Sequence, residues 1–463
     1  MTPLRTTIGL GLALLGLSAQ AQVPTPAQAP EPQLMAEAFY FTYPLYKLSD
    51  YRWTALHDPT ARTHARLNAF AHSREITSSR DRWANAPIVD ALYSTAWVDL
   101  AQGPVTLETP APGTRYHVLT LIDFYSNTFF YAGPRSTGPA AQRLFLAGPD
   151  WQGEAPAGAR LVRAPTNDVY LNLRVQVDGP ADLAAAHRAQ DGFRILAAPA
   201  AASPPAPRPQ PLRDEPQRYL DVINDMLERD PPPPDERAAL QRFAAVGLCG
   251  RACGWERLSD AQQQAWRALL PRLHAGFMQA YLKDGAAQGW IDYSPAGSLL
   301  GTDLQKDFHQ RAYALALGMG MLGLRREEAS YWITLRDAEG QPLHAEQRYR
   351  LRLPPGGIPA EAFWSISLYT AEAEGQFLHD NALQRHHAGS RTGLVARADG
   401  SIELLIQPEP PADPRLLPNW LPTPRAGLTF ELFARAYIPG DAVLAGRFRM
   451  PPIERLRCTG DGC

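Results

Sequence analysis

The sequence predicts a mainly β protein: two β-layered bodies separated by a helical middle. Three observations predict it. Apolar residues alternate with period two over residues 169–177 and again in several runs from 348 to 432. Between about 213 and 324 they recur instead with helical spacing, and a Pro/Ala-rich stretch over 197–212 divides that region from the first β body. At 463 residues the chain also exceeds what one core usually supports, which suggests two or three domains.

The elements follow in order. Residues 1–21 read as an export signal, with Arg5 as the positive end, Ile8 to Leu17 as the apolar core and Ala19-Gln20-Ala21 as the cleavage site. The mature chain is then expected to start at Gln22 in a periplasmic or secreted location. The apolar run is about ten residues, too short for a hydrocarbon core that needs roughly 20, so no membrane span is expected after processing; a retained anchor is the alternative. Residues 22–33, rich in Pro, Ala and Gln, read as a disordered leader. An N-terminal helix from Leu34 to about Leu56, kinked or broken at Tyr43-Pro44-Leu45, opens a first domain over 34–196. In it Val169, Leu171, Leu173, Val175 and Val177 alternate with Tyr170, Asn172, Arg174 and Gln176, as in a strand with one buried and one wet face. His117 to Tyr125 reads as another strand, and Pro-Gly or Gly-Pro turns at short spacing favour an antiparallel sandwich.

The helical segment, 213–330, carries a stripe of Tyr219, Leu220, Ile223, Met226 and Leu227, then a helix with Leu240, Phe243 and Val246. A third helix opens on a capping box, Ser259 with Gln262, and shows a wide apolar face from Trp266 to Tyr281. A further helical stretch runs from Asp303 to about Leu324. The last domain, 331–457, is again β: Tyr349, Leu351 and Leu353 alternate with arginines, Ile402, Leu404 and Ile406 form a second run, and Leu428, Phe430 and Leu432 a third. Asp399-Gly400 is a hairpin-type turn, and the domain reads as a sandwich or jelly roll.

Composition narrows the partners. A net charge of −2 removes the electrostatic case for nucleic acid or an anionic membrane surface. Four cysteines in an exported chain, Cys249 with Cys253 and Cys458 with Cys463 in the tail over 458–463, read as two local disulfides. Other connectivities, and a four-thiolate zinc site without the usual spacing, stay open.

The motifs carry a resemblance. Tyr43-Pro44-Leu45, Leu92 to Leu100 (Leu-Tyr-Ser-Thr-Ala-Trp-Val-Asp-Leu), Gly103-Pro104-Val105, Arg115-Tyr116, Asp123 to Asn127 and Gly148 to Trp151 resemble the domain of unknown function 1254. Arg311-Ala312, Ala329 to Tyr331, Phe363-Trp364-Ser365, Asp399 to Ser401, Asn419 to Pro422 and Pro451-Pro452 resemble the domain of unknown function 1214. The order is kept over nearly the whole mature chain. The resemblance implies an N-terminal immunoglobulin-like β-sandwich, an α-helical insert and a C-terminal jelly-roll-like β-sandwich. It implies no reaction, and the Pro/Ala linker and the two Cys pairs depart from it.

No zinc-protease, nucleophile-elbow, Walker or dinucleotide motif is present, so no cofactor or metal is expected and the catalytic residues are unknown. The ligand-binding candidates are Tyr93, Trp97, Asp99, Arg115, Asp123, Tyr125, Arg311, Trp364, Asn419 and Trp420. Asp123 shares a strand face with Leu119 and Leu121, so it is either a strand-end hydrogen-bond acceptor or ion-pair partner, or a site carboxylate. Asp99 reads as a cap or Asx-turn, with a glycosidase-like pair of Asp99 and Asp123 as the sharper alternative. The aromatic residues suit either a cleft or a core. Arg311 reads as a buried ion-pair partner, with anion binding as the alternative; Asn419 reads as a turn residue, and His379, His386 and His387 as a solvated loop rather than a metal site. Two functions follow. One is binding or processing of a small molecule in a cleft between the two β bodies; the other is a non-catalytic envelope protein, with a homo-oligomer compatible with both.

Overall fold

A computed structural model describes residues 31–111, 113–197, 208–284, 289–293, 307–316, 323–372, 375–381 and 383–457. The export signal, most of the Pro/Ala linker and the Cys458 to Cys463 pair lie outside these described residues.

Helix α1 (Glu31–His57) runs through Pro44 without a break. Its Thr42 hydroxyl donates to the Ala38 carbonyl at 2.7 Å, and almost every residue from Phe41 to Tyr46 is buried, so packing offsets the hydrogen bond that proline forfeits. The first β region supplies β1 (Ala71–His72), β2 (Ala91–Asp99), β3 (Val105–Thr109), β4 (His117–Asp123), β5 (Thr128–Ala132), β6 (Gln142–Ala147), β7 (Arg160–Arg163), β8 (Asp168–Gln176) and β9 (Arg194–Ala197), with α2 (Leu183–Asp191) between the last two. They form a five-stranded sheet, β1-β2-β8-β4-β5, and a four-stranded sheet, β7-β6-β3-β9. The inward residues of both, among them Val98, Leu107, Leu121, Leu144 and Leu171, close one apolar layer.

The helical middle holds α3 (Pro216–Arg229), α4 (Arg237–Phe243), α5 (Asp260–Asp284) and α6 (Phe308–Ala316). The stripe predicted for α3 is buried throughout, and the capping box is present: Ser259 N donates to Gln262 Oε1 at 3.0 Å and Gln262 N to Ser259 Oγ at 3.3 Å. Of the predicted helix from Asp303 to about Leu324, the described residues hold α6, while residues 303–306 and 317–322 lie outside them. A disulfide joins Cys249 to Cys253, as the local reading expected.

The C-terminal region supplies β10 (Ile291–Asp292), β11 (Ala329–Thr334), β12 (Arg348–Leu353), β13 (Ala360–Glu372), β14 (Gly375–Phe377), β15 (His387–Gly389), β16 (Ile402–Gln407), β17 (Trp420–Pro422), β18 (Glu431–Pro439) and β19 (Glu454–Leu456), with α7 (Asp441–Leu444) near the end. One sheet follows β10-β11-β18-β13-β14, with β15 also on β13, and a four-stranded sheet follows β17-β16-β12-β19. Leu351, Leu404, Trp364, Ile366 and Leu432 fill the space between them. The expectation of an antiparallel sandwich in the first β body is corrected at β6–β7, which pair in parallel, and in the C-terminal body β16 and β17 also pair in parallel.

The larger correction concerns β8. All nine of its residues are buried, so the face carrying Tyr170, Asn172, Arg174 and Gln176 is not wet. One end of that face is covered by the helices, where Trp97, Ile122 and Tyr170 join the core of α1, α3 and α5. The other end is covered by the C-terminal β11-β18-β13 sheet, where Tyr116, Val118 and Tyr131 meet Phe363 and Tyr437. Polar alternation in a strand marks solvent only when no other layer arrives, and here the covers come from other parts of the chain, the C-terminal one beginning at Ala329, 153 residues beyond Gln176.

Candidate functional site

Most of the predicted residues have local or structural partners. Asp99 caps the turn after β2: it accepts from Ala101 N at 3.1 Å and Gln102 Nε2 at 2.9 Å, and it pairs with Arg229. Asp123 closes the turn after β4, accepting from Tyr125 N at 2.9 Å, Asn127 N at 2.8 Å and Asn127 Nδ2 at 3.0 Å. Burial pushes its carboxyl up to about 6 despite those bonds. Strand β8 runs between the two aspartates, each with its own hydrogen-bond set, so the glycosidase-like pair does not form. Arg115 makes a two-point pair with Asp182 at 2.6 and 2.7 Å, pinning the turn before α2. Arg311 is buried against Glu236 at 3.4 Å and stacks near Phe41, Tyr125 and Phe308; it is the ion-pair partner that the sequence suggested.

Tyr125 donates to the Asp230 carbonyl at 2.8 Å inside the helical core. Trp364 lies in the C-terminal core with its indole N–H on the Gly356 carbonyl at 3.2 Å, and Trp420 donates to the Gln407 carbonyl at 2.8 Å. Asn419, fully enclosed, accepts from Val395 N at 2.8 Å and donates to the Val395 and Glu403 carbonyls at 2.9 and 2.8 Å. The histidine loop is corrected: His379 and His386 are buried rather than solvated, and burial lowers both to about 4. Among the described residues no group of acids, histidines and cysteines is placed to hold a metal.

Two predicted residues, Tyr93 and Trp97, lie on the covered face of the β1-β2-β8-β4-β5 sheet, and that face holds the candidate site. Residue alternation sets its rows: Tyr93, Thr95 and Trp97 on β2 face the same way as Tyr170, Asn172 and Arg174 on β8, because Ala96, Val98, Leu171 and Leu173 point inward. At the helical end lies a cavity of about 200 Å³ whose walls include Tyr51, Trp83, Trp97 and Tyr170. Trp97 and Tyr170 lie 4.6 Å apart, and Trp83 meets Tyr93 edge-on at 4.9 Å. Asn85, also in the wall, abuts β14: a Cβ on Gly375 would meet Asn85 Oδ1 at 1.9 Å, so this close approach of the two β bodies requires glycine.

Two residues beyond Tyr170 on the same face is Asn172, 0% exposed, with neither amide atom hydrogen bonded. Farther along, Arg174 and the C-terminal sheet's Arg435 lie among tyrosines 93, 369 and 437. Arg435 donates to Tyr369 OH at 3.2 Å, Ser367 Oγ at 3.4 Å and the Ala86 carbonyl at 2.7 Å, tying the two β bodies together. Asp90 sits within electrostatic reach of Arg435, Tyr437 and His387, and both of its carboxylate oxygens are enclosed without a hydrogen bond. Burial holds the His387 imidazole below its ordinary range. Sequence reasoning missed Asn172, Arg174, Asp90 and Arg435. For Asn172, Arg174 and Arg435 the only signal was a polar residue at an alternate strand position, which reads identically for solvent, and Asp90, just before β2, lies outside any strand.

Fold and site together define a class of protein: two linked β bodies that enclose a mixed aromatic and polar face where they meet. The chain belongs to the family that joins two domains of unknown function, with residues 67–197 matching the protein of unknown function DUF1254 and residues 328–441 the protein of unknown function DUF1214. A crystal structure of the VPA0106 protein from Vibrio parahaemolyticus is similar at 23% identity and a TM-score of 0.68, covering 92% of this chain and 100% of that one, which shows the shared fold. An uncharacterized protein from Burkholderia cenocepacia is similar at 13% identity and a TM-score of 0.46, covering 93% of this chain and 92% of that one. No curated protein matches the chain. No helix among the described residues is long and apolar enough to cross a membrane.

Proposed function

We propose that this protein binds a small ligand on the enclosed face between its two β bodies, and that it does so after export. The observation that carries this reading is Asn172. A buried amide that finds neither a donor nor an acceptor costs about 1–3 kcal/mol per unmade bond, and native proteins keep few such groups without a use. Its neighbours along the face, an aromatic cavity on one side and the Arg435 and Asp90 cluster on the other, are what a binding site needs: apolar walls and a few polar groups fixed from behind. The Cys249–Cys253 bridge supports an oxidising location, and we assign the N-terminal sheet pair to the immunoglobulin-like type and the C-terminal pair to the jelly-roll-like type.

The test pairs Asn172→Leu with thermal-shift screening against a panel of periplasmic metabolites. The substitution keeps the volume and removes an unpaired amide, so stability should stay level or rise by about 1 kcal/mol, while the shift that a ligand gives the wild type disappears. A variant destabilised by more than about 2 kcal/mol would mean that Asn172 serves the fold, and a panel without effect on the wild type would count against the site.

A further inference from the structure

A second cavity, sharing no residue with the aromatic one, opens where the first β body meets the C-terminal one. Its volume is about 360 Å³, and its walls come from both bodies: the loop before β2 supplies Arg80 and Arg82, while β13, the segment after β14 and the loop before β18 supply the rest. Both charged loops are fixed by contacts outside the cavity's own chemistry. Arg82 donates to Glu372 at 2.6 Å with its guanidinium 4.2 Å from the centre of the Phe377 ring, and Ser79 Oγ donates to Asp380 at 3.4 Å, so the first loop is tied to the C-terminal body. The neighbouring Asp81 accepts from Ser78 N at 2.8 Å and pairs with Arg62 of the first body. In the second loop, which carries Arg425, Gly427 N donates to Glu346 Oε1 at 2.6 Å and Thr423 Oγ1 to the Ala345 carbonyl at 2.8 Å.

Three guanidiniums therefore line one concavity. Arg82 is engaged by Glu372, but among the described residues neither Arg80 nor Arg425 has a side-chain partner, and Asp380 accepts from Ser79 Oγ and Gln384 Nε2 rather than from either arginine. His379, also in the wall, adds no charge at pH 7, because burial lowers it to about 4. Arg80, Arg82 and Arg425 against Glu372 and Asp380 leave the lining with one net positive charge, in a chain whose total is −2. The surplus is thus local to the cavity, and a concave wall focuses such a field on whatever enters. Guanidinium forks match planar oxyanions, and a single surplus charge is balanced by a monoanion, whereas a dianion would bring uncompensated repulsion against Glu372 and Asp380. The rest of the wall includes Leu378, Pro424 and Leu428, an apolar seat for an organic body, and the volume lies at the lower end of the roughly 300–1,000 Å³ of small-molecule sites.

We infer that this cavity is a second binding site, for a small organic monocarboxylate whose carboxylate is held by Arg80 and Arg425 and whose apolar body lies against Leu378, Pro424 and Leu428. It does not depend on the enclosed face around Asn172. Titration calorimetry of the purified protein with hexanoate, benzoate and phenylacetate, alongside hexanamide, benzamide, succinate and inorganic phosphate, tests it. Saturable binding of at least one monocarboxylate is expected, with its amide weaker by tenfold or more and with several-fold weakening of the carboxylate as sodium chloride screens the arginines. Arg80→Gln with Arg425→Gln should remove the binding while leaving the unfolding curve in place, since both positions are exposed and unpaired, and Asn172→Leu should leave it unchanged. The salt series on the wild type reads the same charge dependence without any substitution. No monocarboxylate binding to the wild type, an amide that binds as well as its acid, or a double variant that binds like the wild type would each overturn the inference. Tighter binding of succinate or phosphate than of every monocarboxylate would overturn the monoanion, and binding lost in Asn172→Leu but kept in the arginine variant would move the ligand to the enclosed face.

Discussion

Replacing Asp168 by Asn should loosen the helices from the sheet, and the structure sets the size of the effect. Asp168, at the start of β8 and 0% exposed, faces three guanidiniums: Arg229 of α3, Arg208 at 2.8 Å and Arg52 of α1 at 3.4 Å. Burial alone would push its carboxyl up, but Arg208, Arg52 and Arg229 together outweigh burial and hold it below the ordinary range. Removing one partner of a buried pair costs about 3–5 kcal/mol. Two features reduce that figure. The arginine side chains keep 9, 14 and 21% exposure, so water recovers part of the loss. Asp230 is held well above its ordinary range by burial and by the charge of Asp168, and it can ionise toward Arg229 once Asp168 is neutral. We therefore expect about 2–3 kcal/mol for Asp168→Asn and about 4–5 kcal/mol when Asp230→Asn closes that route. Urea unfolding followed by circular dichroism measures both. A loss under about 1 kcal/mol for the single variant, or a double variant no worse than the single, would refute the network as the tie. The sign with pH follows: a depressed carboxyl stabilises above its unfolded value near 4 and loses that contribution as pH falls through its folded value.

Asp123 has the opposite sign. Its folded value of about 6 exceeds the ordinary 3.8, so the native state holds the proton longer and wild-type stability falls as pH rises between those values, by roughly 2–3 kcal/mol. Asp123→Asn should flatten that part of the stability–pH curve, and an unchanged difference between variant and wild type from pH 4 to 7 would contradict the burial of the carboxylate. Converting Cys249 and Cys253 to Ser opens a loop of sequence separation 4, for which chain entropy allows only about 2 kcal/mol; a larger loss in urea unfolding would show that the bridge does more than shorten the unfolded chain.

Secondary structure was legible wherever a pattern is local. The α3 stripe, the Ser259–Gln262 capping box, the arginine-backed strand at 348–353 and the Cys249–Cys253 pair depend on neighbours a few residues away, and each is present. The site was not legible, because its groups meet only in three dimensions. Arg435 reaches the Ala86 carbonyl 349 residues away, and Tyr116 donates to Glu328 across 212 residues. Single residues misled for a related reason. Asp99, Arg115, Asp123 and Asn419 are polar residues in marked motifs, and their hydrogen bonds show that they hold turns and strand ends, where a carboxylate or amide spares the backbone an unpaired N–H or carbonyl.

The double covering of β8 has a consequence for how such a chain can change. A sheet whose two sides are each spoken for by a different part of the polypeptide cannot be lent to another protein as a self-sufficient unit, since excision would lay bare Tyr93, Trp97, Tyr116, Val118 and Tyr170 together. The two halves are thus bound to be inherited as a pair, and a drift in one that alters this shared seam must be answered in the other.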